Sequence, residues 1–155
     1  MDLASTTSDQ GSSLLIVEDG IDLTVVGGLE HVNERLNKAI TAQDALDALR
    51  LAVGLATTSE SKDAFACIAA DFNQDGRGST QGVLETLKYA VGFRDIGAEW
   101  KFLDADEDYS GISRSNTVHQ DSESLEAMST NLEINMTGIL LGDVNDSYTT
   151  YLDML

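Results

Sequence analysis

The chain has 155 residues, 42% of them hydrophobic, which is enough for one compact domain with a core and too few for two of ordinary size. Nine Lys and Arg against 27 Asp and Glu give a net charge of −18, so nucleic acid phosphates and anionic lipid surfaces are repelled and cations are the natural partners. A single cysteine, Cys67, excludes an intramolecular disulfide framework and a cysteine-based zinc cluster, and no stretch has the length of a membrane-spanning helix.

The polar segment 1–13 reads as a flexible linker or chain edge, not as a signal peptide, and residues 14–155 read as a single domain. Leu14 to Val17 and Ile21 to Val26, separated by Glu18-Asp19-Gly20, suggest a β-hairpin, because Asp-Gly tolerates the positive φ of a tight turn. Leu29, Val32, Leu36 and Ile40 then recur at helical spacing. Thr41-Ala42-Gln43-Asp44 has the pattern of a reciprocal helix start, and Gly54 supplies a stop, which predicts a helix over 42–53. Residues Lys62 to Ala70 form a second predicted helix with Phe65 and Ile68 inward, and Cys67 is expected to be a buried small hydrophobe.

An internal repeat follows. Gly82 to Gly92 matches Asp44 to Gly54 residue for residue, with apolar stripes at Leu46, Leu49, Val53 and Leu84, Leu87, Val91 that are expected to pack face to face. Asp47/Arg50 and Glu85/Lys88 are i,i+3 charge pairs on the other side. From Trp100 onward the pattern changes: Trp100-Lys101-Phe102 and Leu132 to Leu141 read as strands, and Ser113 to Asn131 as a polar loop with one helical turn. The expected fold class is α+β, with two loop-helix repeats packed against a β-hairpin and C-terminal strands.

The chemistry lies in the loops. Calcium takes six to eight oxygens, and a twelve-residue loop delivers them from alternate positions around a glycine at the sixth. In segment 71–82, Asp71, Asn73 and Asp75 stand at positions one, three and five, Gly76 at the turn, Arg77 offers its carbonyl at seven, and Ser79 stands at nine. Position twelve, where an acidic residue closes the shell, is Gly82. The first repeat has the opposite defect: Asp44 stands at twelve, but Asn33, Arg35, Asn37 and Lys38 occupy the earlier positions, so Asp44 is expected to serve the helix start. A further acidic cluster fits two registers, Asp104, Asp106, Asp108 or Asp106, Asp108, Ser110 with Gly111 at the turn. Gly142-Asp143-Val144-Asn145-Asp146-Ser147 begins like another loop, with Asp143 and Asn145 as candidate ligands or as an Asx turn that needs no metal.

The stretch from Ile68 to Gly92, the Thr-Ala-Gln-Asp-Ala-Leu helix before it and the closing Gly-Asp-Val-Asn together resemble the duplicated, EF-hand-like calcium loop-helix units of dockerin-type domains. The resemblance implies paired calcium loops ordering two helices in a module that docks on a cohesin partner or sits inside a large secreted or cell-surface, adhesin-like protein. The inserted β-like segment departs from it. Calcium is the expected cofactor, and its scarcity in cytosol favours a secreted or cell-surface setting. A protein or carbohydrate ligand is a further expected partner, though aromatics are only 6% and form no evident stacking platform for sugar. No catalytic residue is expected: His31 and His119 are the two imidazoles and both read as surface positions, while closely spaced carboxylates suit ion binding better than acid/base chemistry.

Overall fold

A computed structural model of the chain describes residues 14–28, 39–56, 63–93, 98–126 and 131–148. Its helices are α1 (Ala42–Ala52), α2 (Asp63–Ala70) and α3 (Thr80–Ala90), and its strands are β1 (Leu23–Val26), β2 (Trp100–Asp104), β3 (Ser122–Leu125) and β4 (Met136–Leu140). The fold is α+β, with two antiparallel pairs, β1 with β3 and β2 with β4.

The repeat is visible in how α1 and α3 begin and end. Thr41 caps α1 reciprocally: its hydroxyl accepts from the Gln43 amide, while Asp44 Oδ2 accepts from the Thr41 amide at 2.8 Å. Ser79 caps α3 by accepting from the Gly82 amide at 3.3 Å. At the other end, Leu55 N–H donates to Arg50 O in α1 and Phe93 N–H to Lys88 O in α3, the same closing bond in both copies. The expected ion pairs form, Arg50 with Asp47 at 3.1 Å and Lys88 with Glu85 at 3.0 Å.

The buried side of each helix differs from the expected one. Ala45, Ala48, Asp44 and Asp47 of α1 and Gly82, Thr86 and Tyr89 of α3 are buried, whereas Leu46, Leu49, Val53, Leu84, Leu87 and Val91 are between 40% and 57% exposed. Small residues on the buried sides permit close backbone approach, and the buried side of α1 also carries the capping carboxylate Asp44. Hydrophobicity alone picks the leucine stripe; hydrogen bonding at the helix start sets the other side inward.

Two further expectations are corrected. The Asp19-Gly20 turn forms, with Gly20 at φ +80°, but residues 14–17 do not return as a strand; β1 pairs with β3 instead, Leu23 opposite Leu125. The polar stretch 113–126 holds β3 and an isolated bridge between Ser113 and Asn116, with no helical turn among its described residues. β2 and the last part of the predicted 132–141 strand do form, Trp100 opposite Leu140 and Asp104 opposite Met136. The segment carrying Leu29, Val32, Asn33, Arg35, Leu36, Asn37 and Lys38, together with His31, lies outside the described residues.

α2, β2, β4 and the residues just after β4 supply the centre of the core, where Ile68, Ala69, Leu103, Ile139, Leu141 and Val144 are buried with Ala48 of α1, and Phe65 packs against them. Cys67 is buried, as expected. A second cluster joins Ile40, Tyr89, Ala98 and Leu140, with Phe72, Trp100 and Tyr148 against it. Among the described residues no helix is long and apolar enough to cross a membrane.

Candidate metal centre

Asp71 leaves the end of α2 and is 6% exposed. Its Oδ1 accepts from the Asp75 amide at 3.0 Å and its Oδ2 from the Gly76 amide at 2.9 Å, so one carboxylate folds the next five residues around itself. Gly76 turns the chain at φ +83°, a left-handed conformation that a side chain would strain. Asp75 draws in the rest of the loop, accepting from Asn73 Nδ2 at 2.9 Å, the Arg77 amide at 3.0 Å and Ser79 Oγ at 3.2 Å. The structure thus brings together Asp71, Asn73, Asp75 and Ser79, with Arg77 on the turn. Asn73 Oδ1 is sealed from solvent and has no hydrogen-bond partner among the described residues.

Gly82 at position twelve is a packed position. A Cβ there would stand 2.7 Å from the Ala70 carbonyl oxygen and 3.2 Å from Asn73 Oδ1, so no larger residue fits this backbone. Residues 114–117 lie across the loop: Gly78 N–H donates to Arg114 O at 2.9 Å, Thr117 N–H donates to Gly76 O at 3.0 Å, and the buried Thr117 hydroxyl donates to Asp71 Oδ2. Arg114 also donates to Ala52 O at the end of α1. Thr117 carries no signal in the sequence, because it stands 46 residues from Asp71 in a stretch whose composition reads only as loop. Gln74 fixes the far side of the turn by donating to Glu99 at 2.7 Å. Lys101 hydrogen-bonds the same carboxylate and holds it below its usual range.

The Asp143 loop repeats the local geometry of the Asp71 loop. Asp143 Oδ1 accepts from the Ser147 amide and Oδ2 from the Tyr148 amide, both at 2.9 Å, the same fourth- and fifth-residue bonds that Asp71 makes. Asp146 adopts φ 55° where Gln74 adopts φ 54°, and these are the two positive-φ residues other than glycine among the described residues. Asn145 Oδ1, like Asn73 Oδ1, is buried without a partner. Burial pushes the Asp143 carboxyl up to about 6 against the lowering effect of the Ser147 and Tyr148 amides, and the neighbouring Asp44 charge acts in the same direction as burial.

The acidic run from Asp104 to Ser110 is arranged differently. Asp104 Oδ1 accepts from the Asp106 amide, while Asp108 accepts from the Ser110 amide and hydroxyl, each carboxylate closing its own two-residue turn at about the surface. The Ser110 amide holds the Asp108 carboxyl below its usual range. Asp106, Asp108 and Ser110 are exposed, and Gly111 does not take the positive φ that the second register expects of its turn residue. Among the described residues no three His, Cys, Asp or Glu side chains gather into one cluster, so any cation site here must draw on amide, hydroxyl and carbonyl oxygens as well. His119 is half-buried, with Nδ1 2.7 Å from Thr117 O.

No family model, curated protein or solved structure matches this chain. The oxygens of residues 71–79 therefore have to speak for themselves. Two carboxylates, a sealed amide oxygen, a hydroxyl and a turn carbonyl are hard donors, suited to calcium and unsuited to soft or thiophilic metals.

Proposed function

We propose that this protein is a calcium-binding, calcium-stabilised structural or interaction module of a larger secreted or cell-surface protein, and not an enzyme. One observation carries the reading: Asn73 Oδ1 is buried and unpartnered in a loop already wrapped around the Asp71 carboxylate. Leaving such an oxygen unsatisfied costs roughly 1–3 kcal/mol, which a hard cation would recover. Asp71, Asn73, Asp75, the Arg77 carbonyl and Ser79 would hold the ion, and its charge would neutralise carboxylates that otherwise repel in a chain of net charge −18. The resemblance to dockerin-type repeats supports the same reading.

Calcium at a hundred times its dissociation constant stabilises the bound fold by about 2.7 kcal/mol, which for a chain of this size moves the melting temperature by about 5–10 °C. Thermal melts in calcium and in chelator measure this. Asp71→Ala with Asp75→Ala should remove most of the response, and a wild-type melting point indifferent to calcium sinks the reading.

The exposed row on α1 and α3 favours a second reading, a calcium-dependent recognition domain whose ligand is a protein. Leu46, Leu49, Leu84 and Leu87 are 40–49% exposed, and Phe93 just beyond α3 is 85% exposed. A defined partner retained by the calcium-loaded chain, and released by chelator or by Leu49→Asp with Leu87→Asp, would support it.

A further inference from the structure

The start of α1 sits against the Asp143 loop. Asn145 N–H donates to Asp44 Oδ1 at 3.2 Å across 101 residues of sequence, and Ser147 Oγ donates to the Ala39 carbonyl at 3.0 Å across 108. Gly142 makes the approach possible: at φ +96°, a Cβ there would fall 2.8 Å from Phe72 Cδ2 and 3.1 Å from Ile40 Cδ1.

The correspondence with the continuous loop extends through these contacts. Asp143, Asn145 and Ser147 stand where Asp71, Asn73 and Asp75 stand. In the internal repeat, Ala39, Thr41 and Asp44 occupy the places of Arg77, Ser79 and Gly82, loop positions seven, nine and twelve. Two stretches from distant parts of the chain therefore assemble one loop with an acidic residue at both its first and its twelfth positions.

We infer that Asp143, Asn145, Ser147, the Ala39 carbonyl, Thr41 and Asp44 form a second, composite calcium site closed by residues from opposite ends of the chain. Asp44 is fully buried and Asp143 is 6% exposed, so two carboxylates meet out of water, and one divalent ion neutralises both. The independent sign of a ligand is Asn145 Oδ1, buried in this loop with no hydrogen-bond partner among the described residues. The site goes beyond the calcium reading of residues 71–79 and uses none of its atoms.

The test is calorimetric titration of the full chain with calcium chloride after chelation, with circular dichroism of each variant to confirm the fold. Wild type should bind two ions. Asp71→Ala with Asp75→Ala should keep one, and adding Asp143→Asn should abolish it. Asn145→Ala keeps the backbone bond to Asp44, so its melting point in chelator should stay at or above wild type while calcium affinity at this site falls at least tenfold. Asn145→Asp should tighten the site about tenfold through added ligand charge. A chain that loses all calcium binding on the Asp71/Asp75 substitutions overturns the composite site and leaves the first reading standing. One that keeps a single Asp143-dependent ion through those substitutions, with wild type also binding only one, supports the composite site and overturns the first. No binding by wild type overturns both.

Discussion

The two loops of this protein solve the same local problem in different ways. Residues 71–82 run continuously into α3 and lack an acidic closing residue, while residues 143–148 meet the carboxylate of Asp44 at the start of α1. The Asp and Asn at positions one and three, and the left-handed fourth residue, are common to both. Local sequence is therefore sufficient for the first half of such a loop, and packing decides what completes it. At Gly82 packing leaves no space beside the Ala70 carbonyl, and at Asp44 it brings a carboxylate to a distant loop.

Exchanging the closing residues is the strongest way to break this comparison. Asp44→Gly removes the acceptor for the Thr41 amide and hydroxyl and for the Asn145 amide, and should lower stability in chelator by about 3 kcal/mol, measured by denaturant unfolding. Gly82→Asp should lower it by about 1–3 kcal/mol through overpacking and should not tighten calcium binding. If Gly82→Asp tightens binding without loss of stability, the α3 start is less constrained than its contacts indicate.

The pH dependence should also separate the loops. Folding raises the Asp143 carboxyl from about 4 to about 6, so between those values the folded chain binds more protons than the unfolded one. In chelator, this group's contribution is fully present below about pH 4 and is lost as pH rises through about 6, by up to about 3 kcal/mol. Subtracting the stability profile of Asp143→Asn from that of wild type should isolate this component, and a flat difference would contradict it.

A smaller effect should come from Thr117, which has no counterpart identified in the Asp143 loop. Thr117→Val removes the hydroxyl that donates to Asp71 and should cost about 1 kcal/mol in chelator, with the melting response to calcium retained. If the calcium response disappears with the hydroxyl, Thr117 belongs to the ion-binding machinery of the Asp71 loop.

Much of this was legible along the chain because it is governed by contacts within a few residues. The reciprocal cap at Thr41 and Asp44, the i,i+3 ion pairs, the Asp71 loop with its turn at Gly76, and strands at Trp100 and near Leu140 all follow from short-range spacing. The hairpin at Asp19-Gly20 failed because a turn fixes a reversal of direction but does not choose a strand's partner, and β1 found β3 about a hundred residues away. The leucine stripes misled because apolar periodicity marks a face without saying which face the buried hydrogen bonds will claim.

By itself, then, the sequence determined the repeat, the helix starts, the oxygen-rich first half of each loop and a charge that favours cations. Only the tertiary structure decided that Gly82 is walled in, that Thr117 reaches Asp71, and that Asp44 meets Asn145. Those are contacts between residues 46 to 101 positions apart or between packed backbones, where proximity is created by burial of the core and leaves no local pattern to read.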